Sequence, residues 1–338
     1  MTSKERVIKT LKHQSVDRAP RDLWVLPGVS MFCQNEVGEL MRRFPMDFQG
    51  VENPYGKSTR EKGIPNRIGQ YTDEWGSVFH VGEDGVIGEV KEPLLADWSS
   101  LKTYKPPFEL LKGFSREKVN KACVGTDKFI RVGTYTRPFE RMQFLRGTEN
   151  LFLDLAYGTA EVFTLAEMLH DFNRQEMELW ASTDVDGVGF MDDWGSQNSL
   201  LISPEMWRKI FKPLYKDYAD ILHKKGKFVF MHSDGNISSI YPDLVEIGID
   251  AMNSQLFCMD IEDLGEKYSG KITFWGEIDR QHVLPTGDRT LIQKAVQRVR
   301  TAMDHGKGGV IAQCEWGNDV SGESVAAVFE EWEKPPVT

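Results

Sequence analysis

Residues 187–234, GVGFMDDWGSQNSLLISPEMWRKIFKPLYKDYADILHKKGKFVFMHSD, decide the fold. They contain two short apolar runs, residues 187–191 and 228–232, which have the length and the Val and Phe content of buried strands. Between the runs, Ser203 and Pro204 begin a helix whose apolar residues share one face, and Gly226 ends it. Pro213 predicts a kink in that helix. Two buried strands joined by a helix form the βαβ unit of a parallel sheet.

The same alternation continues along most of the chain and predicts an α/β protein. Further helices are predicted at residues 237–247, 288–305 and 321–332. The predicted strands are residues 18–26, 129–135, 187–191, 228–232, 250–256, 272–275 and 309–313. This pattern approaches a complete (β/α)8 TIM barrel, in which reacting groups lie at the carboxyl ends of the strands. We expect one domain over residues 1–338.

The segment of residues 30–122 breaks the alternation and is rich in Gly and Pro. It contains a predicted hairpin in which Glu83, Asp84 and Gly85 turn between residues 71–81 and 86–91. We interpret the segment as an elaboration packed over the barrel mouth and not as a separate domain.

Composition excludes several classes of protein. With 41 Lys and Arg against 51 Asp and Glu, the net charge is −10, and no basic stripe is present, so we expect no nucleic-acid partner. The longest stretch without a charged residue is 23–35, whereas a membrane span needs about 20 apolar residues. Thr2 and Glu5 are spaced as a capping box, and no apolar signal segment follows. Four widely spaced cysteines favour free thiols, so we expect a cytoplasmic protein.

Polar residues follow the predicted strands and therefore should meet at the barrel mouth. The predicted catalytic residues are Asp193, His232 and Glu277, all suited to general acid or base chemistry. The alternative for such carboxylates is a structural role, for example at the beginning of a helix. The predicted substrate-binding residues, which would form a largely aromatic wall, are Trp24, Trp194, Gln255 and Trp316.

A metal site is a second hypothesis for the same mouth. His232, Asp234 and Cys314 follow two predicted strands and offer nitrogen, oxygen and sulfur, a mixed set that suits zinc. The alternative is that His232 only hydrogen-bonds a neighbouring aspartate and that Cys314 is a small buried hydrophobe. Spacing alone leaves both alternatives open.

The chain resembles the uroporphyrinogen decarboxylase superfamily over most of its length. The motifs that carry the resemblance are KERVIKTLKHQSVDRAP at 4–20, DEWG at 73–76, DDWGSQ at 192–197, SPEMW at 203–207, MHSDGNI at 231–237, EIGIDAMNSQ at 246–255 and FWGEID at 274–279, followed by Cys314. The resemblance implies a (β/α)8 barrel with its site at the carboxyl-terminal mouth. The superfamily includes cofactor-free decarboxylases and cobalamin-dependent methyltransferases that act with corrinoid proteins.

The resemblance bears on the reaction through two motifs. The decarboxylases carry an arginine-rich N-terminal motif for the carboxylates of their substrate, where this chain has PRDLWVLPG with Arg21 alone. Zinc methyltransferases of the superfamily use His-x-Cys and a late Cys, where this chain has His232-x-Asp234 and Cys314. A carboxylate in place of a thiolate makes a harder Lewis acid, which suits an oxygen or nitrogen centre.

The resulting hypothesis is a zinc-assisted methyltransferase that moves a methyl group from a small O- or N-methylated compound to a separate corrinoid protein. One alternative is a metal-free decarboxylase of a small carboxylic acid, in which Asp193 or His232 protonates the carbanion. Another is a homologue that binds a ligand without turnover. Related barrels often pair, so a homodimer is also expected.

Overall fold

A computed structural model describes residues 1–335 and shows eight parallel strands in a nearly closed barrel. The barrel strands are β1 (Arg21–Val25), β2 (Phe48–Gln49), β3 (Phe129–Gly133), β4 (Gly187–Met191), β5 (Phe228–Ser233), β6 (Ala251–Ser254), β7 (Thr273–Trp275) and β8 (Val310–Trp316). Their order in the sheet is β1-β8-β7-β6-β5-β4-β3-β2. The fold prediction of an α/β TIM barrel is therefore confirmed.

The seam between β1 and β2 completes the barrel. The Asp47 amide donates to the Arg21 carbonyl at 3.0 Å, and the Arg21 amide donates to Asp47 Oδ2 at 2.7 Å. The sequence did not reveal β2, which lies within the segment of residues 30–122 that was interpreted as an elaboration. A strand of two residues is too short to show a period of two, which is the signal that identifies strands.

Helices cover the outside of the barrel. The α-helices are Ser3–Leu11, Pro27–Phe32, Gln34–Arg43, Phe108–Lys112, Arg116–Cys123, Pro138–Arg146, Thr148–Tyr157, Ala160–Ala181, Pro204–Ile210, Lys212–His223, Tyr241–Glu246, Ile261–Tyr268, Arg289–Met303 and Gly322–Glu333. The predicted kink near Pro213 is a break between two helices at Phe211. The predicted helix at 237–247 is a 3-10 turn, Ser238–Ile240, followed by a short α-helix. None of the described helices has the length and apolar character needed to cross a bilayer.

The first helix closes the amino-terminal end of the barrel. Thr2 and Glu5 form the predicted capping box. Val7 and Leu11 pack with Phe48, Phe230 and other apolar residues inside the lower barrel. This end is filled with side chains, so the open end of the barrel is the carboxyl-terminal mouth.

The insert, residues 50–128 between β2 and β3, carries a three-stranded antiparallel sheet made of Gly69–Thr72, Val78–Val81 and Glu89–Val90. The predicted strand at 71–81 is thus wrong, because a turn at residues 73–77 divides it into two strands. Gly85 lies in the turn with φ +89°, and a Cβ there would lie 2.4 Å from Gly28 Cα. Gly28 belongs to the helix that follows β1, so this contact places the insert over the mouth of the barrel.

Candidate active site

Two glycines bring together the loops that follow β4 and β5. A Cβ on Gly235 would lie 2.2 Å from the carbonyl carbon of Gly195, and Gly235 has φ +76°. The Gly195 amide donates to the Asp234 carbonyl at 3.0 Å. Only glycine permits so close a backbone approach. This contact between the two loops places Asp193, in the loop after β4, beside Asp234, in the loop after β5.

Asp193, His232 and Asp234 form a compact group at the mouth. One ligand atom of each residue lies within 4.8 Å of the other two. His232 Nε2 is 3.5 Å from Asp193 Oδ1 and 3.5 Å from Asp234 Oδ1. The Asp234 amide also donates to Asp193 Oδ1 at 2.9 Å, which fixes the position of that carboxylate.

Asn253 orients the imidazole of His232. Asn253 Nδ2 donates to the Trp275 carbonyl, so Oδ1 faces His232 Nδ1 at 2.6 Å. Because an amide oxygen only accepts, the proton of neutral His232 lies on Nδ1. Nε2 is then unprotonated, and its lone pair is directed towards the two aspartates.

A partly buried arginine, Arg280, links this group to β7 and β8. Arg280 Nη2 donates to Asp234 Oδ2 at 2.5 Å, and Arg280 Nη1 donates to Glu315. Arg280 Nε lies 3.7 Å from Glu277 Oε1. Burial lowers the pKa of Arg280, but the three surrounding carboxylates outweigh it, and the pKa is raised. Arg280 is therefore a permanent cation that holds Asp234 in place.

Glu277 is the buried acid of the site, with only 3% of its surface exposed. Burial raises its pKa well above the usual value, and Arg280 opposes that rise. A glutamate in this environment retains its proton more readily than one in water. Glu277 is thus suited to donate a proton, whereas the neighbouring Asp279 accepts backbone hydrogen bonds from Gln281 and His282.

The geometry of the Asp193–His232–Asp234 group fits a metal ion. Ligand atoms about 2.1 Å from a tetrahedral zinc are about 3.4 Å apart, close to the two 3.5 Å separations observed. Asp234 Oδ1 is buried and has no hydrogen-bond partner among residues 1–335. A buried carboxylate oxygen without a donor is costly unless a cation binds it. Two carboxylates and one imidazole are ligands that zinc accepts.

The structure corrects the predicted ligand set, because Cys314 does not join the group. On β8, Ile311 packs inside the barrel, whereas Ala312, Cys314 and Trp316 belong to the core between the barrel and its helices. Cys314 is fully buried, and burial raises the pKa of its thiol. His232 and Asp234 lie together, but the third member of the group is Asp193.

The predicted substrate-binding residues divide into two pairs. The Trp24 ring lies 5.0 Å from the His232 ring, and Gln255 Oε1 accepts from the Gly235 amide at 2.8 Å, so both belong to the mouth. Trp194 is fully buried, stacks on Phe139 and donates to Tyr215. Trp316 is also buried and donates to the Val320 carbonyl. Trp194 and Trp316 are core residues and were wrongly predicted to line the pocket.

Sequence reasoning missed Arg280, Asn253 and Glu315 as members of the site. Glu315 follows Cys314 directly and lies beyond residue 313, where the predicted strand ends. Arg280 lies beyond the predicted end of β7, where a period-2 pattern gives no direction for its side chain. A cavity of about 870 Å³ opens beside Arg280 and Glu315, between the loops after β1, β7 and β8 and the tip of the insert.

The family model and the first of the two solved structures described next agree with this fold. Residues 72–334 match the family model of uroporphyrinogen decarboxylase (URO-D). A solved methyltransferase from Methanosarcina mazei superposes with a TM-score of 0.73 at 14% identity, covering 98% of each chain. A glycosylated endo-β-1,4-xylanase from Gloeophyllum trabeum reaches a TM-score of 0.46 at 9% identity, covering 96% of this chain and 99% of its own. No curated protein sequence matches the chain.

Proposed function

The chain belongs to the uroporphyrinogen decarboxylase family, and from that premise we propose a metal-assisted methyltransferase. It moves a methyl group from a small O- or N-methylated compound to a corrinoid carried by a separate protein. The observation that carries the proposal is the group of Asp193, His232 and Asp234, with its buried, unpartnered oxygen. The M. mazei methyltransferase, which has the same fold, is consistent with it.

In this proposal the residues of the mouth have distinct roles. Asp193, His232 and Asp234 hold the metal, which when bound supplies a Lewis acid for the substrate oxygen or nitrogen. Trp24 covers the substrate on the side of His232. When the carbon–heteroatom bond breaks, its electron pair stays on the heteroatom, and a reduced corrinoid held by the partner protein would supply the electron pair of the new bond to the methyl carbon. Glu277 then supplies the proton that the leaving heteroatom needs.

The surroundings of Arg21 argue against decarboxylation of a porphyrinogen. Arg21 begins β1 at the closed end of the barrel, and its Nη2 pairs with Glu333 Oε1 at 2.5 Å. It therefore does not face the mouth. Within the mouth, Arg280 is already held by Asp234 and Glu315. Neither arginine is available for the carboxylates of such a substrate.

The test measures metal content and methyl transfer in the same preparations. The protein, purified without a histidine tag and supplied with zinc, is compared with Asp193→Asn, His232→Ala and Asp234→Asn. We expect about one zinc per chain in the parent and loss of it in all three variants. Asp279→Asn is the matched control, because Asp279 lies on the same mouth but bonds only to backbone amides and to His282.

Methyl transfer is followed by the absorbance of cob(I)alamin with methoxylated and methylamine donors. Transfer by the parent and by Asp279→Asn, but not by the three variants, is the expected result. A parent that binds no metal would overturn the mechanism. Release of carbon dioxide from a carboxylic acid without corrinoid would instead identify the decarboxylase alternative.

A further inference from the structure

A second cavity, of about 300 Å³, lies between the antiparallel sheet of the insert and the carboxyl end of β3. Four aromatic residues line it, namely Tyr71, Phe79, Tyr135 and Phe144. Glu74, Arg137 and Arg141 add charged groups to its wall. A mostly aromatic cavity with a few polar groups is the usual form of a small-molecule site.

Several polar groups of this cavity lack partners among residues 1–335. Glu74 is only 8% exposed, yet its carboxyl group receives no hydrogen bond from another residue. The hydroxyl groups of Tyr71 and Tyr135 likewise have no partner. Tyr71, Glu74 and Tyr135 line the same cavity, and burial, followed by the charge of Glu74, raises the pKa of both phenols. Converging polar groups without internal partners are available to a ligand.

The guanidinium groups of Arg137 and Arg141 differ in the hydrogen-bond partners that they have within the protein. Arg141 Nη1 donates to Asp73 Oδ2 at 2.5 Å, a buried ion pair. Arg137 Nη1 lies 3.8 Å from Glu140 Oε1, beyond hydrogen-bond distance, and Arg137 Nη2 donates only to the Met191 sulfur. A thioether is a weak acceptor, so the guanidinium of Arg137 keeps its capacity to bind a carboxylate with two hydrogen bonds.

The cavity adjoins the Asp193–His232–Asp234 group through β4. Met191, which contacts Arg137, is the register partner of His232 on the neighbouring strand. The Glu140 amide, beside Arg137, donates to Asp192 Oδ1 at 2.7 Å, and Asp192 directly precedes Asp193. Arg137 is therefore the part of the cavity wall that lies nearest to the proposed metal site.

We infer that this cavity binds the methyl donor and that the donor is a small carboxylic acid with a flat, apolar body. The carboxylate pairs with Arg137, the aromatic residues enclose the body, and Glu74 and the two phenols bind polar substituents. That the acid is the methyl donor rests on the proposed function, whereas the carboxylate site itself does not.

The test is a calorimetric titration of the full chain with 4-methoxybenzoate and with its neutral isostere, 4-methoxybenzamide. We expect the acid to bind at least roughly tenfold more tightly than the amide, because a charge-assisted pair is lost in the amide. Arg137→Gln should remove this preference. Arg174→Gln, a change at an exposed helix position, should keep it. Thermal unfolding of each variant establishes that it is folded.

Equal binding of acid and amide by the parent, or no binding of either at millimolar concentration, would overturn the inference without any variant. Retention of the preference in Arg137→Gln would also overturn it. The titration is run with zinc supplied and again after chelation. Binding of the acid by a protein that takes up no zinc even when zinc is supplied would support the carboxylate site and count against the proposed metal-assisted reaction, so the two failures are distinguishable.

Discussion

Asn253 shows how one uncharged residue determines the chemistry of another. Its side chain bridges the Trp275 carbonyl and His232 Nδ1, and it is 1% exposed. The amide thereby selects the tautomer that leaves Nε2 free, 3.5 Å from Asp193 Oδ1 and from Asp234 Oδ1. Partners of this kind, outside the ligands themselves, tune affinity as well as orientation.

Replacing Asn253 with Ala is expected to weaken metal binding about 10- to 100-fold, because His232 loses the acceptor that fixes its tautomer. Competition with a chelator of known affinity measures the change. Asn150→Ala is the matched control, because within residues 1–335 the side-chain amide of Asn150 hydrogen-bonds only to the Arg146 carbonyl. An unchanged affinity in Asn253→Ala would mean that Asn253 does not orient the ligand.

Single residues of the site were predictable only where strand position determined direction. His232 and Asp234 were placed together because they follow one buried strand. Asp193 was named as catalytic, but its position beside Asp234 depends on the contact of Gly195 with Gly235. Such a contact between distant loops leaves no periodic signal. Trp194 illustrates the converse, because a tryptophan after a strand is as well suited to a core as to a pocket.

At the scale of a single element, strand β8 determines which face of the sheet carries the Cys314 side chain. Side chains on a strand alternate between faces, so Cys314 shares its face with Ala312 and Trp316, and Glu315 shares its face with Ile311. The contacts follow this alternation, since Glu315 meets Arg280 in the mouth. The sequence contained this information, but the end of the strand was placed at residue 313, before the residues in question.

Cys314→Ala is therefore expected to leave the metal content at the parental level. Its cost is limited to packing, about 1 kcal/mol in the free energy of unfolding, because the thiol fills space in the helix-facing core. Elemental analysis and urea unfolding measure the two quantities, with His232→Ala as the comparison that loses metal. Loss of metal from folded Cys314→Ala would restore the cysteine to the ligand set.

At the scale of the whole molecule, the barrel is closed at one end and polar at the other. The first helix and the apolar lower layer fill the amino-terminal end, and the insert covers the opposite end. At the mouth, Glu277 and Glu315 are buried charged residues that lie beside the partly buried Arg280. Burial of ionisable groups without full compensation lowers the stability of the entire chain and is typical of sites selected for chemistry.

Glu277→Gln is accordingly expected to stabilise the protein at neutral pH. The pKa of Glu277 is raised in the folded state above its ordinary value of 4.5. Between these two values the folded state binds more protons than the unfolded state, so stability falls as pH rises through that window. Glutamine does not ionise and avoids this loss. The stabilisation should be largest above the folded-state pKa and should vanish as pH falls to 4.5.

Urea unfolding of metal-free protein across this pH range measures the difference in the free energy of unfolding. Glu266→Gln, on an exposed face of the helix Ile261–Tyr268, is the control and should show no such dependence. The same Glu277 substitution should reduce methyl transfer, since the amide has no proton to give. Greater stability combined with lower activity identifies Glu277 as a group retained for chemistry at the expense of stability. A variant that is less stable than the parent at neutral pH would mean that Glu277 is ionised and stabilising, held by Arg280.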